Sequence, residues 1–250
     1  MVQQKITLIT GGSRGIGRAT ALLLAERGHQ ICINYRQREE EALAVVETIR
    51  QQGGCAIAIG ADISDEQQVV EMFCEIDQRL GSITGLVNNA ARLLPQSRVE
   101  QLSGPRLAQL FAANISGSIL CAREAVKRMS THYQGRGGAI VNVSSAAARL
   151  GSAFEYTDYA ASKGAIDTFT RGLSVEVAAA GIRVNAVRPG FIYTEMHAEG
   201  GEADRVERVK SQLPMGRGGQ PIEVAYAIAW LLSEEASYVT GSFIDLAGGK

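Results

Sequence analysis

Two side chains in the run DYAASKGAID, Tyr159 and Lys163, are spaced four apart and so share one face of a helix. A permanent positive charge then stands beside a phenol, and the phenol can give or take a proton near neutral pH. Adding a hydride to a carbonyl, or removing one from an alcohol, needs that proton. A free tyrosine titrates near 10, so work near neutrality asks for a drop of roughly three units, about 4 kcal/mol. One charge at about 4 Å, in a medium of effective dielectric near 20, interacts with about that strength. Lys163 alone is therefore expected nearly to suffice. Ser145 closes the apolar run GAIVNVSS. From a strand end it would donate a hydrogen bond to an oxygen as charge develops there. Tyr156 is not equivalent, because its i+4 neighbour is Ala160.

A second constellation lies near the N-terminus. Thr10-Gly11-Gly12-Ser13-Arg14-Gly15-Ile16-Gly17 follows an apolar strand and opens a helix. Glycines permit a tight turn and a close approach of backbone to a pyrophosphate, which the free N–H groups of the helix start attract. The end of the second strand reads Asn34-Tyr35-Arg36, with Arg38 nearby and no carboxylate to bond a ribose 2′-hydroxyl. Arg14 and Arg36 would clamp a 2′-phosphate. NADP(H) is favoured and NAD(H) stays possible. Arg38 reads more simply as a solvated charge. Asp62-Ile63 closes the third strand, where the carboxylate would accept from an adenine amino group and Ile63 would pack on the ring. Asp62 or Ser64 would equally serve as the N-cap of the next helix. At the end of the fourth strand, Asn88-Asn89-Ala90-Ala91 offers small residues beside which a cofactor passes closely. Asn88 and Asn89 are also able simply to tie neighbouring strands together.

Short apolar runs alternate with longer amphipathic ones. The strand candidates are KITLIT, QICINY, CAIAIGAD, SITGLVNNA, GAIVNVSS, IRVNAVRPG and SFIDLAG, and the helix candidates are 16–28, 37–52, 65–80, 103–131, 158–180 and 221–234. This predicts an α/β fold: a Rossmann-type, doubly wound parallel sheet in a three-layer αβα sandwich. Strands apolar throughout fit a sheet covered on both faces. One domain, 1–250, is expected, with the polar segment 191–215 as a substrate lid, because ligands bind at the carboxyl ends of such strands. The charged run Glu202 to Lys210 within it reads as a solvated helix face.

Composition narrows the rest. The net charge is −1, which gives no electrostatic case for nucleic acid. No apolar stretch of about 18 residues suggests a membrane span. MVQQKITLITGG runs into a strand with no basic-then-apolar leader, so a cytoplasmic location is expected. Cys32, Cys55, Cys74 and Cys121 are scattered and read as buried free thiols of a reducing compartment. His29, His132 and His197 are isolated, and no metal site is indicated.

TGGSRGIG, the NNAA run, Asn114, VNVSS, YAASK and RPGFIYTEM, in that order, resemble the short-chain dehydrogenase/reductase family over essentially the whole chain. The resemblance extends to the terminal VTGSFIDLAGG. It is nearest to the branch of bacterial 3-oxoacyl-carrier-protein reductases and glucose dehydrogenases. It implies a catalytic set of Asn114, Ser145, Tyr159 and Lys163, with Asn114 holding a water that links Lys163 to solvent. On its own, an Asn in a helical region is a bend or a backbone partner. The resemblance also implies that Lys163 orients the cofactor ribose. Further, it has Pro189-Gly190, Ile192 and Thr194 meet the nicotinamide carboxamide, and a homotetramer form partly through helices 103–131 and 158–180. Two departures stand out. Ala91 replaces a usual glycine, and the loop from Ser145 to Tyr159 is one residue longer than usual, leaving Ser144 as a lesser alternative to Ser145. The expected activity is NADP(H)-dependent interconversion of a carbonyl and a secondary alcohol on a small molecule. The Tyr-to-Lys spacing fits carbonyl rather than enoyl chemistry in this family. An NAD-dependent sugar or polyol dehydrogenase and a non-catalytic dinucleotide sensor stay open as other readings.

Overall fold

The computed structural model describes residues 5–250. Seven parallel strands form one sheet: β1 (Ile6–Thr10), β2 (Gln30–Tyr35), β3 (Ala56–Gly60), β4 (Gly85–Asn88), β5 (Gly138–Val143), β6 (Ile182–Pro189) and β7 (Phe243–Leu246). Their order is β3-β2-β1-β4-β5-β6-β7. Every pairing is parallel, with Ile9 beside both Ile33 and Val87. The order reverses between β1 and β4, and in such sheets that switch point opens a crevice at the carboxyl ends of the strands.

Successive side chains of a strand point to opposite faces. Ile9 and Ile33 enter a core beneath α1 (Gly15–Glu26), α2 (Glu39–Gln51) and α10 (Pro221–Leu232), whereas Leu8 and Cys32 enter a second core on the other face. That second core is closed by α3 (Glu66–Arg79), α5 (Ser118–Met129) and α7 (Thr157–Glu176). The interior strands are therefore apolar on both sides, as their sequences predict. Cys32 and Cys121 are buried free thiols, and burial pushes Cys121 up to about 12. Cys55 and Cys74 are exposed, contrary to expectation, because Cys55 precedes β3 and Cys74 lies off the buried face of α3.

Element ends moved by a residue or two. The third strand stops at Gly60, so Asp62 lies beyond it. The N-cap of α3 is Asp65, which accepts from Gln68 N at 3.1 Å; neither Asp62 nor Ser64 takes that place. Asp62 instead folds its own turn, accepting from Ser64 N at 3.0 Å and Ser64 Oγ at 2.6 Å. The expected helix 103–131 is one helical run, α4 (Gly104–Phe111) and α5, joined by a π turn over Ala112–Gly117. Such turns take one residue more than the α-helix and are frequent at functional sites.

Residues 191–215 carry only short pieces of helix, α8 (Met196–Glu199), α9 (Arg205–Val209) and a 3₁₀ turn (Lys210–Gln212). They lie across the carboxyl ends of the strands. The loop between Ser145 and Tyr159 holds a short helix, α6 (Ala147–Leu150), and the turn after it. There Ser152 and Phe154 hold left-handed backbone at φ 46° and 69°, a rare conformation for a bulky side chain.

Candidate active site

The crevice has two lobes that share Ile16, Asn89, Ala91, Thr194 and Met196. One holds Ser145, Tyr159 and Lys163 and the other most of the expected nucleotide contacts, while Asn114 lines neither.

Helix α7 builds the first lobe. Its opening turn is fastened by the buried Asp158, whose carboxylate accepts from Tyr159 N at 2.9 Å and pairs with Arg106 at 2.8 Å. Tyr159 and Lys163 then face the cleft together, with the ammonium 5.6 Å from the centroid of the phenol ring. Lys163 is 3% exposed and donates to Val143 O at 2.7 Å, which ties α7 to the end of β5. Ser145 follows that strand end. Its hydroxyl accepts from Ala147 N at 3.1 Å, lies 3.5 Å from Pro189 O, and lines the cleft with Tyr159. Ser144 is committed elsewhere: it is buried and donates to Asp167 Oδ1 at 2.6 Å. That leaves Ser145 as the serine that meets Tyr159.

The electrostatics correct the simple expectation. Burial, opposed by the Ser145 hydroxyl and the charge of Arg205, pushes Tyr159 up to about 12. Burial also brings Lys163 down to about 8, against the pull of Asp167. Loss of water disfavours both charged forms. In this cleft burial is the largest influence on both groups, and no lowering of the phenol by Lys163 is among the influences on Tyr159.

Asn114 sits in the π turn and is 1% exposed. Its Oδ1 accepts from Arg92 N at 2.7 Å, while Nδ2 donates to Arg92 O at 3.0 Å and Ser162 Oγ at 3.1 Å. The side chain thus clamps the chain leaving β4 onto α7 and makes no direct contact with Lys163. Its bottom-up reading as a backbone partner holds for the amide.

The second lobe is lined by Gly11, Ser13, Arg14, Gly15, Asn34, Tyr35, Arg36, Asp62, Ile63 and Ala90 as anticipated, and by Arg38 and Arg92 besides. Thr10 and Gly17 support it from behind. Thr10 is fully buried and its hydroxyl accepts from Asn89 N and Ala90 N, each at 3.0 Å. A Cβ on Gly17 would meet Gly11 O at 2.3 Å, so only glycine lets α1 start this close to β1. Asn89 ties the loop to its neighbour by donating to Thr10 O and Gly11 O, each at 3.0 Å. Asn88 is structural, donating to Asn142 Oδ1 and Ser118 O at 3.0 Å. Asn34 is 2% exposed and donates to Ala61 O at 3.0 Å.

These residues fit a dinucleotide. The helix N-terminus is uncapped by any side chain, so its N–H groups stay free for an anion. Gly11 and Gly15 hold positive φ beneath the lobe, and a Cβ on Gly11 would press on Ala90 Cα at 3.0 Å. Arg14 Nη1 is buried without a partner among the described residues. A phosphate oxygen would satisfy it.

The end of β2 carries no carboxylate, as read, but carboxylates from other parts of the chain stand at this lobe. Glu199 pairs with Arg14 at 2.5 Å and Arg38 at 3.4 Å, and Asp62 with Arg92 at 3.3 Å and Arg36 at 3.5 Å. Arg38 is accordingly more than a solvated charge. Segment 191–215 brings further unexpected groups. Arg205 is 8% exposed, pairs with Glu155 and lies 4.4 Å over the ring of Tyr156. The charged run is therefore not wholly solvated. Tyr156, expected to lack a cation, is buried and donates to Gly200 O at 2.9 Å. His197 lines the first lobe and shares a 3.0 Å hydrogen bond with Ile192 O, so its Nε2 carries the proton. Pro189, Gly190, Ile192 and Thr194 line that lobe too. No helix among the described residues is long and apolar enough to cross a membrane, and none of their acidic, His and Cys side chains cluster as metal ligands.

Known proteins resemble this chain in sequence and in fold. A family model described as enoyl-(acyl carrier protein) reductase matches residues 11–250. An Escherichia coli protein named as the uncharacterized oxidoreductase YgfF is 64% identical over 98% of this chain and 99% of its own. The 3-oxoacyl-[acyl-carrier-protein] reductase FabG of Staphylococcus aureus is 35% identical over 100% of this chain and 99% of its own. A crystal structure of a short chain dehydrogenase from Burkholderia cenocepacia, in complex with NADP, superposes with a TM-score of 0.89 at 32% identity. It covers 99% of this chain and 98% of the other. With the glycine loop, the serine, tyrosine and lysine and the whole sheet accounted for, the chain belongs to the short-chain dehydrogenase/reductase family of oxidoreductases.

Proposed function

We propose that the protein interconverts a small-molecule carbonyl and a secondary alcohol with NADP(H). The observation that carries this reading is the convergence of Ser145, Tyr159 and Lys163 on one wall of a cleft whose other lobe presents Arg14, Arg36 and Arg38. The NADP in the Burkholderia relative supports the choice of cofactor. Bound in the cleft, the nicotinamide supplies or accepts the hydride. Gly11, Gly15 and the start of α1 hold the pyrophosphate, and Arg14 with Arg36 or Arg38 holds the 2′-phosphate. Ile63 packs against the adenine.

The protein's own groups handle the proton. Ser145 donates to the substrate oxygen as negative charge grows there. Tyr159, protonated at neutral pH because burial raises it to about 12, then delivers its proton to that oxygen. An alkoxide is a much stronger base than a phenolate, so the transfer runs downhill in the direction of reduction. Lys163 remains largely an ammonium below about pH 8 and stabilises the phenolate left behind. Asn114 acts by position, holding residue 92 against α7 at the rear of the site.

Segment 191–215 serves as the lid. The substrate lobe beneath it has apolar walls, among them Leu93, Leu150, Phe191 and Met196. A homotetramer through α4–α5 and α7 is part of the proposal, supported by apolar side chains exposed on those helices, Ile119 at 37% and Val175 at 81%. Sedimentation would read the tetramer directly.

The deciding experiment follows NADPH absorbance across a panel of ketones, aldehydes, 3-oxoacyl thioesters and enoyl thioesters. Turnover of carbonyls without enoyl turnover is expected. Enoyl turnover alone would move the reaction to the carbon–carbon double bond, and no turnover with any member would favour a dinucleotide sensor.

A further inference from the structure

The second lobe carries an anion of its own. Glu199, the last residue of α8, places one carboxylate oxygen 2.5 Å from Arg14 Nη2 and 3.4 Å from Arg38 Nη2. Arg14 is the residue before Gly15 in the phosphate loop, and Arg38 is the N-cap of α2, three residues past the end of β2. The two guanidinium groups come from the phosphate loop and from the turn after β2, and an oxyanion already sits between them. Their attraction holds Glu199 below the usual carboxylate range even though its partial burial acts the other way. Glu199 is therefore ionised at neutral pH.

We infer that Glu199 is a specificity-determining residue for the cofactor: its carboxylate stands in for the 2′-phosphate between Arg14 and Arg38 and must be displaced when NADP(H) binds. This rests on reading the lobe as a dinucleotide site. A 2′-phosphate brings more charge and more acceptor oxygens than a carboxylate, and the unpartnered Arg14 Nη1 gives it a further donor. It wins the place, but part of its binding energy goes into breaking the Glu199 pairs and overcoming repulsion from the displaced group. NAD(H) carries no phosphate and leaves the pairs intact. The carboxylate thus narrows the margin between the two cofactors, from a position on the lid rather than at the end of β2, where family specificity is normally sought in sequence. Because Glu199 belongs to 191–215, the displacement also frees that segment from the phosphate loop when the phosphorylated cofactor arrives.

The test uses two fragments that differ by the phosphate, 2′,5′-ADP and 5′-ADP, titrated calorimetrically into the full-length protein and its Glu199→Gln variant. Both side chains of the pair are partly solvated, so the effect is that of a surface pair, about two- to fivefold. Glu199→Gln is expected to tighten 2′,5′-ADP by that factor and leave 5′-ADP within experimental error. In an Arg14→Met background the gain should shrink or disappear. A wild-type protein that binds 2′,5′-ADP no tighter than 5′-ADP would sink the NADP(H) reading and the inference with it. A wild-type protein that prefers 2′,5′-ADP overturns the inference alone if Glu199→Gln leaves that ligand unchanged, weakens it, or tightens both fragments equally.

Discussion

The two lobes of the cleft are built on opposite terms. In the catalytic lobe the charged and polar groups are bound into the core: Lys163 to the carbonyl of Val143, Ser144 to Asp167, Asn114 to the backbone of residue 92. In the phosphate lobe the charges are on the surface and paired with one another, Arg14 and Arg38 with Glu199, Arg36 and Arg92 with Asp62. Buried commitments set position to within tenths of an ångström and resist change. Surface pairs are worth about 0–1 kcal/mol each and exchange partners readily. Chemistry needs the former, because a proton must travel a fixed short path. Capture and release of a cofactor need the latter.

The largest expected effect falls on the rigid lobe. Tyr159→Phe removes the proton and little else, so kcat should drop about 10²- to 10⁴-fold. The dissociation constant for NADPH, read by fluorescence titration, should stay within about twofold. Turnover that survives would take the proton away from this phenol. Next comes the exchangeable lobe. Arg14→Ala should weaken NADPH about ten- to hundredfold, the worth of charge-assisted hydrogen bonds to a phosphate, and spare NADH. Equal loss for both cofactors would show that the arginine serves the pyrophosphate instead.

Acidity sharpens the contrast further. Lys163 is held down to about 8, so its ammonium is present below that pH and lost above it. Tyr159, near 12, keeps its proton throughout this range. The kcat/KM for carbonyl reduction should be level below about pH 8 and fall about tenfold per unit above it. Stability moves the opposite way for this group. Between about pH 8 and the ordinary lysine value the unfolded chain holds the extra proton, so the Lys163 contribution to folding rises with pH. A rate that stays level to pH 10 would break the link between the lysine and the phenol. The smallest effect belongs to Ser144→Ala. Losing the hydroxyl's donated hydrogen bond to Asp167 Oδ1 should cost about 1–3 kcal/mol in denaturant unfolding and change kcat only modestly.

Much of this was legible in the sequence. The strands stand out because both faces are covered and their runs are apolar without interruption. Tyr159, Lys163 and Ser145 follow from helix spacing and a strand end, both local features. Glu199, His197 and Arg205 were not legible as site residues. Segment 191–215 has no period, and only its long-range contacts decide which of its charges turn inward. The acidities were misjudged for a related reason: spacing gives the distance between two groups, whereas the water they lose depends on everything packed around them. Asp62 shows the limit at a single residue. Ser64, two positions on, captured its carboxylate into a turn, and Asp65 took the cap.

The π turn at Ala112–Gly117 has a consequence for how this chain can vary. Because the wide turn itself takes up one residue, deleting one there would restore an ordinary α-helix and leave the flanking faces, with the buried Leu110 and Cys121, close to their present directions. A one-residue deletion well outside the turn would instead swing one flank by about 100° about the axis. A deletion scan from Ser103 to Met129 should therefore find folding tolerant within Ala112–Gly117 and far less so on either side of it.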